Sequence, residues 1–402
     1  MKTIHLLSAS VLMLFFFLSL NARGQDKTYA IDLSKPEGKT QEVNLSSIAA
    51  DINYIALETT PDSYITSVFN VIKTDKNLLI LDDTDMERKR LLIFDLNGSF
   101  KAQIHSVGKG PGEYVGISDV AYDPVNLYIT ILDAFQKKVL QYSLSGKFIR
   151  ETLVENRPQN LCYIEPGYFV IISPLQMVKP AQDGKFYNII VYDRNFTVKK
   201  RIASPVKSAV SVDSPYFFVG GVFNYENRLR YKQPFVDDIY TLDNNLNYKV
   251  FCRMDFGKYR MPESVYASTE SSHNRPSHYR EFHSLIESRD FFFIKYGSTG
   301  KTPVCLLNKH NGLMSYVSLG IEKVGFGNDF DGSMAFWPRS SSGPDELINY
   351  FNAIDLIDYC DKNHVRKFKS KFPAQQKKLF NLLDKLDQES NPVIQIVTLK
   401  KN

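Results

Sequence analysis

The chain has 402 residues, 43% hydrophobic and 23% charged, which excludes a mostly disordered polypeptide. Aromatic residues reach 13%, through 28 Phe and 23 Tyr against one Trp, and this leans towards β structure. The net charge of +5 is small and spread along the chain, so neither a nucleic-acid nor a membrane-surface partner is expected.

Lys2 gives a short positive start, and residues 6–20 (LLSASVLMLFFFLSL) follow as an uncharged apolar run. Ala22-Arg23-Gly24 sets small residues before Gln25, so residues 1–24 read as a signal peptide cleaved at that point. The run falls short of the roughly 20 apolar residues that a bilayer span needs. The first cysteine is Cys162, so no lipoprotein Cys follows the cleavage point. The mature chain, residues 25–402, is expected as one exported domain without a transmembrane segment, monomeric, in the periplasm or outside the cell. Export would let disulfides persist. Cys162, Cys252, Cys305 and Cys360 allow three pairings, among which the sequence does not choose. Cys162, Cys252 and Cys305 each sit in an apolar run (LCYI, VFCRM, VCLL), where a buried thiol serves as a small hydrophobe.

From residue 91 onward the chain repeats itself. LLIFDLNGSFKAQI (91–104) and KVLQYSLSGKFIRETL (138–153) share an apolar strand, a turn at Asn97-Gly98 or Ser145-Gly146, and a second strand. IIVYDRNFTVKKRI (189–202) turns at Asp193-Arg194-Asn195, and DIYTLDNNLNYKVF (238–251) at Asp243-Asn244-Asn245. CLLNKHNGLMSYVSL (305–319) turns at His310-Asn311-Gly312. A further strand precedes each of the first three hairpins: residues 78–83, 127–133 and 167–172. About four short strands per roughly 50 residues is the pattern of a propeller blade, whose faces are buried only by stacking on neighbours. INYIALET (52–59) and NPVIQIVTLK (391–400) are strands near the two chain ends, and pairing them within one blade closes a ring of six. The expected fold is therefore all-β, a six-bladed β-propeller with a short helical insertion before the closing strand. Residues 257–290 are polar and lack strand alternation, and are expected as an insertion between the fourth and fifth hairpins. Residues 344–388 are expected to be helical, because Leu347, Tyr350, Phe351, Ile354 and Ile357, and later Leu379, Leu382, Leu383 and Leu386, recur at helical spacing.

Four stretches then carry a family resemblance: INYIALETTPDSYI (52–65), SVGKGPGEYVGISDV (106–120), GNDFDGSMAFWPRS (327–340) and ESNPVIQIVTLKK (389–401). With the blade pattern, the chain resembles the six-bladed β-propellers exported by Bacteroidetes, related in shape to TolB-like and NHL-repeat propellers. The resemblance implies the propeller fold and an envelope location, and it implies no particular activity. Members often carry a lipoprotein Cys after the signal peptide, which this sequence lacks.

Two regions are candidates for ligand binding. Gly108-Lys109-Gly110-Pro111-Gly112-Glu113-Tyr114 allows a close backbone turn whose N–H groups could cradle an anion beside Lys109, with Glu113 and Tyr114 at its end. It lacks the Lys-Ser/Thr ending of a phosphate loop, and Gly-Pro clusters are first of all turn signals. Asp329 and Asp331 stand beside Phe336, Trp337 and Arg339, where the Trp could stack on a sugar or peptide ring. The other reading of this stretch is that it caps the ring and packs Trp337 against the helices. The Asp82, Asp83 and Asp85 cluster, or Asp329 with Asp331, could supply oxygen ligands for Ca²⁺, but neither has the spacing of a known calcium loop, and Asp at strand ends usually caps turns. His273, His278 and His283 miss the spacing of a helical zinc pair, and no metal or other cofactor is expected. No nucleophile elbow or metalloprotease motif is present.

The function these readings support is a non-enzymatic propeller that binds a ligand or partner, a glycan, a peptide or an envelope protein, at one mouth of its channel. The alternative is a divalent-metal-dependent hydrolase or lyase of the six-bladed propeller type.

Overall fold

The five hairpins recognised in the sequence fold in one way. The residue opening each turn accepts backbone N–H groups on its side-chain oxygen: Asp95 from Asn97 and Ser99, Asp193 from Asn195 and Thr197, Asp243 from Asn245 and Asn247. Ser143 Oγ does the same for Ser145 and Lys147, and Asn308 Oδ1 for His310 and Asn311. A left-handed residue completes each turn: Gly98, Gly146 and Gly312 in three hairpins, and Phe196 (φ 58°) and Leu246 (φ 60°) in the other two. Phe196 holds this conformation while stacked on Phe169, ring centroids 4.8 Å apart. Leu246 lacks the glycine that such a turn favours, and its side chain packs instead against the core between the third and fourth blades.

The computed structural model describes residues 28–83, 89–206, 221–233, 236–243, 245–262, 278–298, 301–317 and 324–401. Strands β1 (Tyr29–Asp32) and β2 (Ala49–Ala56) come first, and the remaining strands fall into six sheets. Blade one holds β3 (Val68–Lys73), β4 (Asn77–Asp82), β5 (Arg90–Asp95) and β6 (Phe100–Ile104). Blade two holds β7 (Asp119–Asp123), β8 (Tyr128–Asp133), β9 (Lys138–Ser143) and β10 (Phe148–Leu153). Blade three holds β11 (Asn160–Ile164), β12 (Tyr168–Ile172), β13 (Ile189–Asp193) and β14 (Val198–Ile202). Blade four holds β15 (Gly221–Tyr225), β16 (Arg228–Lys232), β17 (Ile239–Leu242) and β18 (Tyr248–Asp255). Blade five holds β19 (Arg280–Glu287), β20 (Phe291–Ser298), β21 (Val304–Asn308) and β22 (Met314–Tyr316). Blade six is built from both chain ends: β23 (Ser340–Ser341), β24 (Glu346–Phe351), β25 (Val393–Leu399) and, outermost, β2. The protein is a six-bladed β-propeller.

Closure follows the expected pairing. β2 runs antiparallel to β25 from Ala49 opposite Leu399 to Ala56 opposite Val393. The segment before β2 also straps the ring from outside. β1 adds to β18 in parallel, Gln41 bridges Val317, and Asn44 bridges Gly327. One stretch thus covers the outer edges of blades four and five before joining blade six, leaving fewer unpaired strand edges.

The helical expectation needs one correction. Helices α1 (Ala353–Lys362) and α2 (Pro373–Leu383) lie between β24 and β25 and pack beside the closing blade, where Leu356, Cys360, Leu379 and Leu382 meet Phe351 and Val393. Residues 346–351, read as the start of a helix, are instead strand β24. Leu347, Ile348, Asn349 and Phe351 are all buried, so the strand shows no alternation, and its apolar spacing mimics a helix. Residues 257–290 likewise are not all insertion. Gly257–Tyr259 form one 3-10 turn, residues 263–277 lie outside the described residues, and Arg280–Glu287 are the innermost strand of blade five. A bulge between Phe282 and Ser284 shifts the phase of that strand, which removes the period-two signal.

Between blades lie continuous apolar layers. Leu78, Ile80, Leu92 and Phe94 of blade one meet Ile348, Ile394 and Ile396 of blade six, and Cys162, Val170 and Val191 of blade three meet Leu229 and Tyr231 of blade four. All four cysteines are buried free thiols.

Candidate functional site

Because each blade presents its first strand to the axis, the innermost strands β3, β7, β11, β15, β19 and β23 together wall a central cavity of about 560 Å³. It reaches the turns that follow these strands, at residues 74–76, 124–127, 226–227 and 342–343. Its wall mixes aromatic rings (Tyr122, Phe223, Tyr225) with polar groups (Asn70, Asp119, Ser341). The side chains of Asn70, Tyr122 and Ser341 have no hydrogen-bond partner among the described residues. Such groups on a concave wall are available to a ligand or to water.

Of the charged groups bordering this cavity, two sets are drawn most deeply into its wall. Asp119 accepts the N–H groups of Leu161 and Val120, each at 2.8 Å. Asp119 is half-buried, and its partial withdrawal from water pushes its carboxyl up to about 6 despite those hydrogen bonds. Across the cavity, Glu287 of β19 accepts from Arg230 Nε at 2.8 Å and from Lys309 Nζ at 2.9 Å. Arg230 also lies 3.7 Å over the Phe251 ring and donates to Thr241. This buried group joins blade four to blade five. Cys162 lies on the same wall, and burial together with the nearby Asp119 pushes its thiol up to about 12, which leaves it a protonated, unreactive group.

A second cavity, of about 510 Å³, is formed by Phe69–Val71 of β3, Ser284 and Ile286 of β19 and the loop leading into β23, with Val324 and residues 334–340 on one side and Asn349, Tyr350 and Phe351 on another. Asn70 and Arg339 line both cavities.

The residues singled out in the sequence are distributed unevenly over these surfaces. Arg339 is exposed on the channel wall; its guanidinium carbon lies 4.2 Å over the Tyr350 ring, and it donates to Asn349 Oδ1 and to the Tyr350 hydroxyl, each at 3.2 Å. Trp337 lines the second cavity and stacks on Phe326 with Phe293 at its edge, so it packs between blades five and six rather than against the helices. Asp329 and Asp331 point away from both. Asp329 accepts the Ser46 N–H at 2.9 Å and the Ser46 hydroxyl at 2.5 Å, fixing the strap. Asp331 is fully buried and accepts from the Tyr54 hydroxyl and the Ser333 N–H.

The GKGPGEY loop links blade one to blade two, and its anion cradle is already filled by the protein itself. Glu113 Oε2 accepts the Gly110 N–H at 2.8 Å, Glu151 Oε2 accepts the Gly112 N–H at 3.1 Å, and the Gly108 N–H goes to the Tyr114 carbonyl. Tyr114 is fully buried, its hydroxyl shared between the carbonyls of Lys89 and Ile104, while Lys109 is exposed. Asp82 accepts from Thr66, Ser67 and Arg90. Asp85 and His273 lie outside the described residues. The His278 ring lies tilted against Tyr279, and His283 sits at the bulge of β19. Among the described residues no three His, Cys, Asp or Glu side chains are grouped to hold a metal ion, and no helix is long and apolar enough to cross a membrane.

Comparison with known proteins agrees with this architecture. A family described as "Domain of unknown function (DUF4934)" matches residues 28–398. A solved structure of a Bacteroides fragilis protein described as exported shares 19% identity over 93% of this chain and 100% of that one, with a TM-score of 0.68. A Bacteroides vulgatus member of the DUF4221 family covers 90% of this chain and 100% of its own at 13% identity and TM-score 0.49. Virginiamycin B lyase from Staphylococcus aureus covers 74% of this chain and 80% of its own at 9% identity and TM-score 0.41. At 19% identity the likeness to the Bacteroides fragilis protein is one of fold. No curated protein matches the chain.

Proposed function

The chain belongs to the DUF4934 family, and from that premise we propose that it is an exported, non-enzymatic binding protein taking a small polar ligand, or the end of a glycan or peptide, into its central cavity. The observation that carries this reading is the 560 Å³ cavity walled by all six innermost strands, with Asn70, Tyr122 and Ser341 on its surface without a hydrogen-bond partner among the described residues. Ligand sites are concave, largely preformed and furnished with a few convergent polar groups, and this cavity has each of those properties. The propeller scaffold supports many functions, so the reading rests on the cavity and not on the fold.

Export to the periplasm or beyond is supported by the apolar N-terminal run of residues 6–20 and by the character of the Bacteroides fragilis neighbour. The hairpin repeats support placing the ring beside TolB-like and NHL-like propellers.

The test is a thermal-shift screen of residues 25–402 against a glycan and peptide panel, because binding to the native state raises Tm by mass action. A ligand that raises Tm for the wild type should lose that effect in Tyr122→Ala. A ligand whose shift survives Tyr122→Ala and Ser341→Ala binds elsewhere, and that result overturns the assignment.

A further inference from the structure

The second cavity differs from the central one in charge. Its described lining contains no Asp or Glu, yet Lys295 of β20 and Arg339 both reach it. Lys295 is half-buried and has no hydrogen-bond or ion-pair partner among the described residues. Among the described residues, the polar partners of Arg339 are the neutral groups of Asn349 and Tyr350. A third cation stands near the cavity, where Lys89 Nζ lies 3.5 Å over the ring of Phe69, itself a lining residue that is 53% exposed. Several other buried or half-buried cations do have an acidic partner: Lys73 with Glu346, Arg90 with Asp82, Lys138 with Glu151, Arg230 and Lys309 with Glu287. Lys295, unlike the exposed Arg339, is partly withdrawn from water, and a charge so placed gains from an opposite charge or several acceptors. The walls beside them are aromatic, with Phe69, Trp337 and Tyr350, and the indole N–H of Trp337 has no acceptor among the described residues.

We propose that this cavity is an anion site for a small ring compound carrying one oxyanion, such as an acidic monosaccharide. Lys295 and Arg339 supply charge-assisted hydrogen bonds to the oxyanion, which are stronger than neutral ones. Phe69 and Trp337 provide flat apolar faces for the ring. Carboxylate, sulfate ester and phosphate ester share this chemistry, and the cavity selects for the charge first. The proposal goes beyond central-cavity binding and does not depend on it, because Tyr122 and Ser341 line only the central cavity.

The chain supplies its own reporter: Trp337 is its single tryptophan and stands in the wall of this cavity. The experiment is a fluorescence titration of residues 25–402, exciting tryptophan selectively, with glucuronate, glucose 6-sulfate, glucose 6-phosphate and neutral glucose at millimolar concentration. A saturable change with one or more of the charged sugars and none with glucose is expected, and which of them binds most tightly identifies the oxyanion. Lys295→Met and Arg339→Gln should each weaken that binding on the order of tenfold, and added salt should weaken it further. Tyr122→Ala should leave the signal intact. A response to glucose equal to that of the charged sugars overturns the proposal, as does silence with all four in the wild type. If Lys295→Met fails to fold, Lys295→Arg provides the check: it keeps the charge and should retain binding, and loss of binding in that folded variant counts against the site.

Discussion

The hydroxyl of Tyr54 donates to Asp331 Oδ2 across 2.7 Å, which ties the outermost strand of the closing blade to the loop leading into its innermost strand. The same hydroxyl accepts from Gln395 of β25 at 3.1 Å. One phenol thus pins the two chain ends and the incoming loop together, and burial raises the Asp331 carboxyl above its ordinary range. Tyr54→Phe should therefore destabilise the protein by about 1–3 kcal/mol, since it leaves a buried carboxylate short of a donor. Chemical denaturation would measure the loss, and hydrogen exchange should show β2 protected less than in the wild type. An unchanged midpoint would mean that the ring closes without this bond.

Glu287 holds the two buried cations Arg230 and Lys309 between blades four and five. Glu287→Gln removes the anion and keeps the shape, stranding both charges. The expected cost is about 3–5 kcal/mol, the usual result of breaking a buried pair on one side. A Tm within a degree or two of the wild type would show that water already reaches the group.

Asp119 gives the pH profile a definite tilt. Its folded carboxyl titrates near 6, above the unfolded value, so the folded state binds the extra proton between roughly pH 4 and pH 6. The stability this contributes is present below that window and is lost as pH rises through it. In Asp119→Asn the decline in Tm across the window should be shallower, by an amount equivalent to about 2 kcal/mol. Parallel pH profiles for the two proteins would contradict the burial of this carboxyl.

The GKGPGEY loop should behave as a structural clasp. Lys109→Ala is expected to change stability by no more than about 0.5 kcal/mol, as for other exposed side chains. Gly112→Ala should be much worse, because Gly112 has φ +75° and an added Cβ would meet the Phe148 ring at 3.1 Å. Equal effects of the two substitutions in a denaturation series would argue against this role.

The thiols should be silent in the native protein. Burial pushes Cys162, Cys305 and Cys360 up to about 12 and raises Cys252 as well. A maleimide should label none of the four in the folded chain and all of them in denaturant, counted by intact mass. Labelling of Cys162 alone in the folded state would show that the central cavity admits reagents to its wall.

The sequence by itself determined the repeat, the number of blades and the pairing of the chain ends, because these depend on local information. A turn residue at Asp95, Ser143, Asp193, Asp243 or Asn308 caps its own hairpin within a few residues, so each hairpin is visible wherever it stands. Strands β19 and β24 were illegible for the converse reason. A bulge at His283 broke one alternation, and burial on both faces of residues 347–351 erased the other. The site was decided only by the tertiary structure. Asp329 and Arg339 are ten positions apart in one stretch, yet the first fixes the strap through Ser46 and the second faces the channel. Lys295 has no signature in sequence at all; it matters because blade packing sets it on one cavity wall with Arg339 and Trp337, with no acid among the described lining residues. Which face of a strand meets the axis follows from how six blades fit around it, and that is a property of the closed ring.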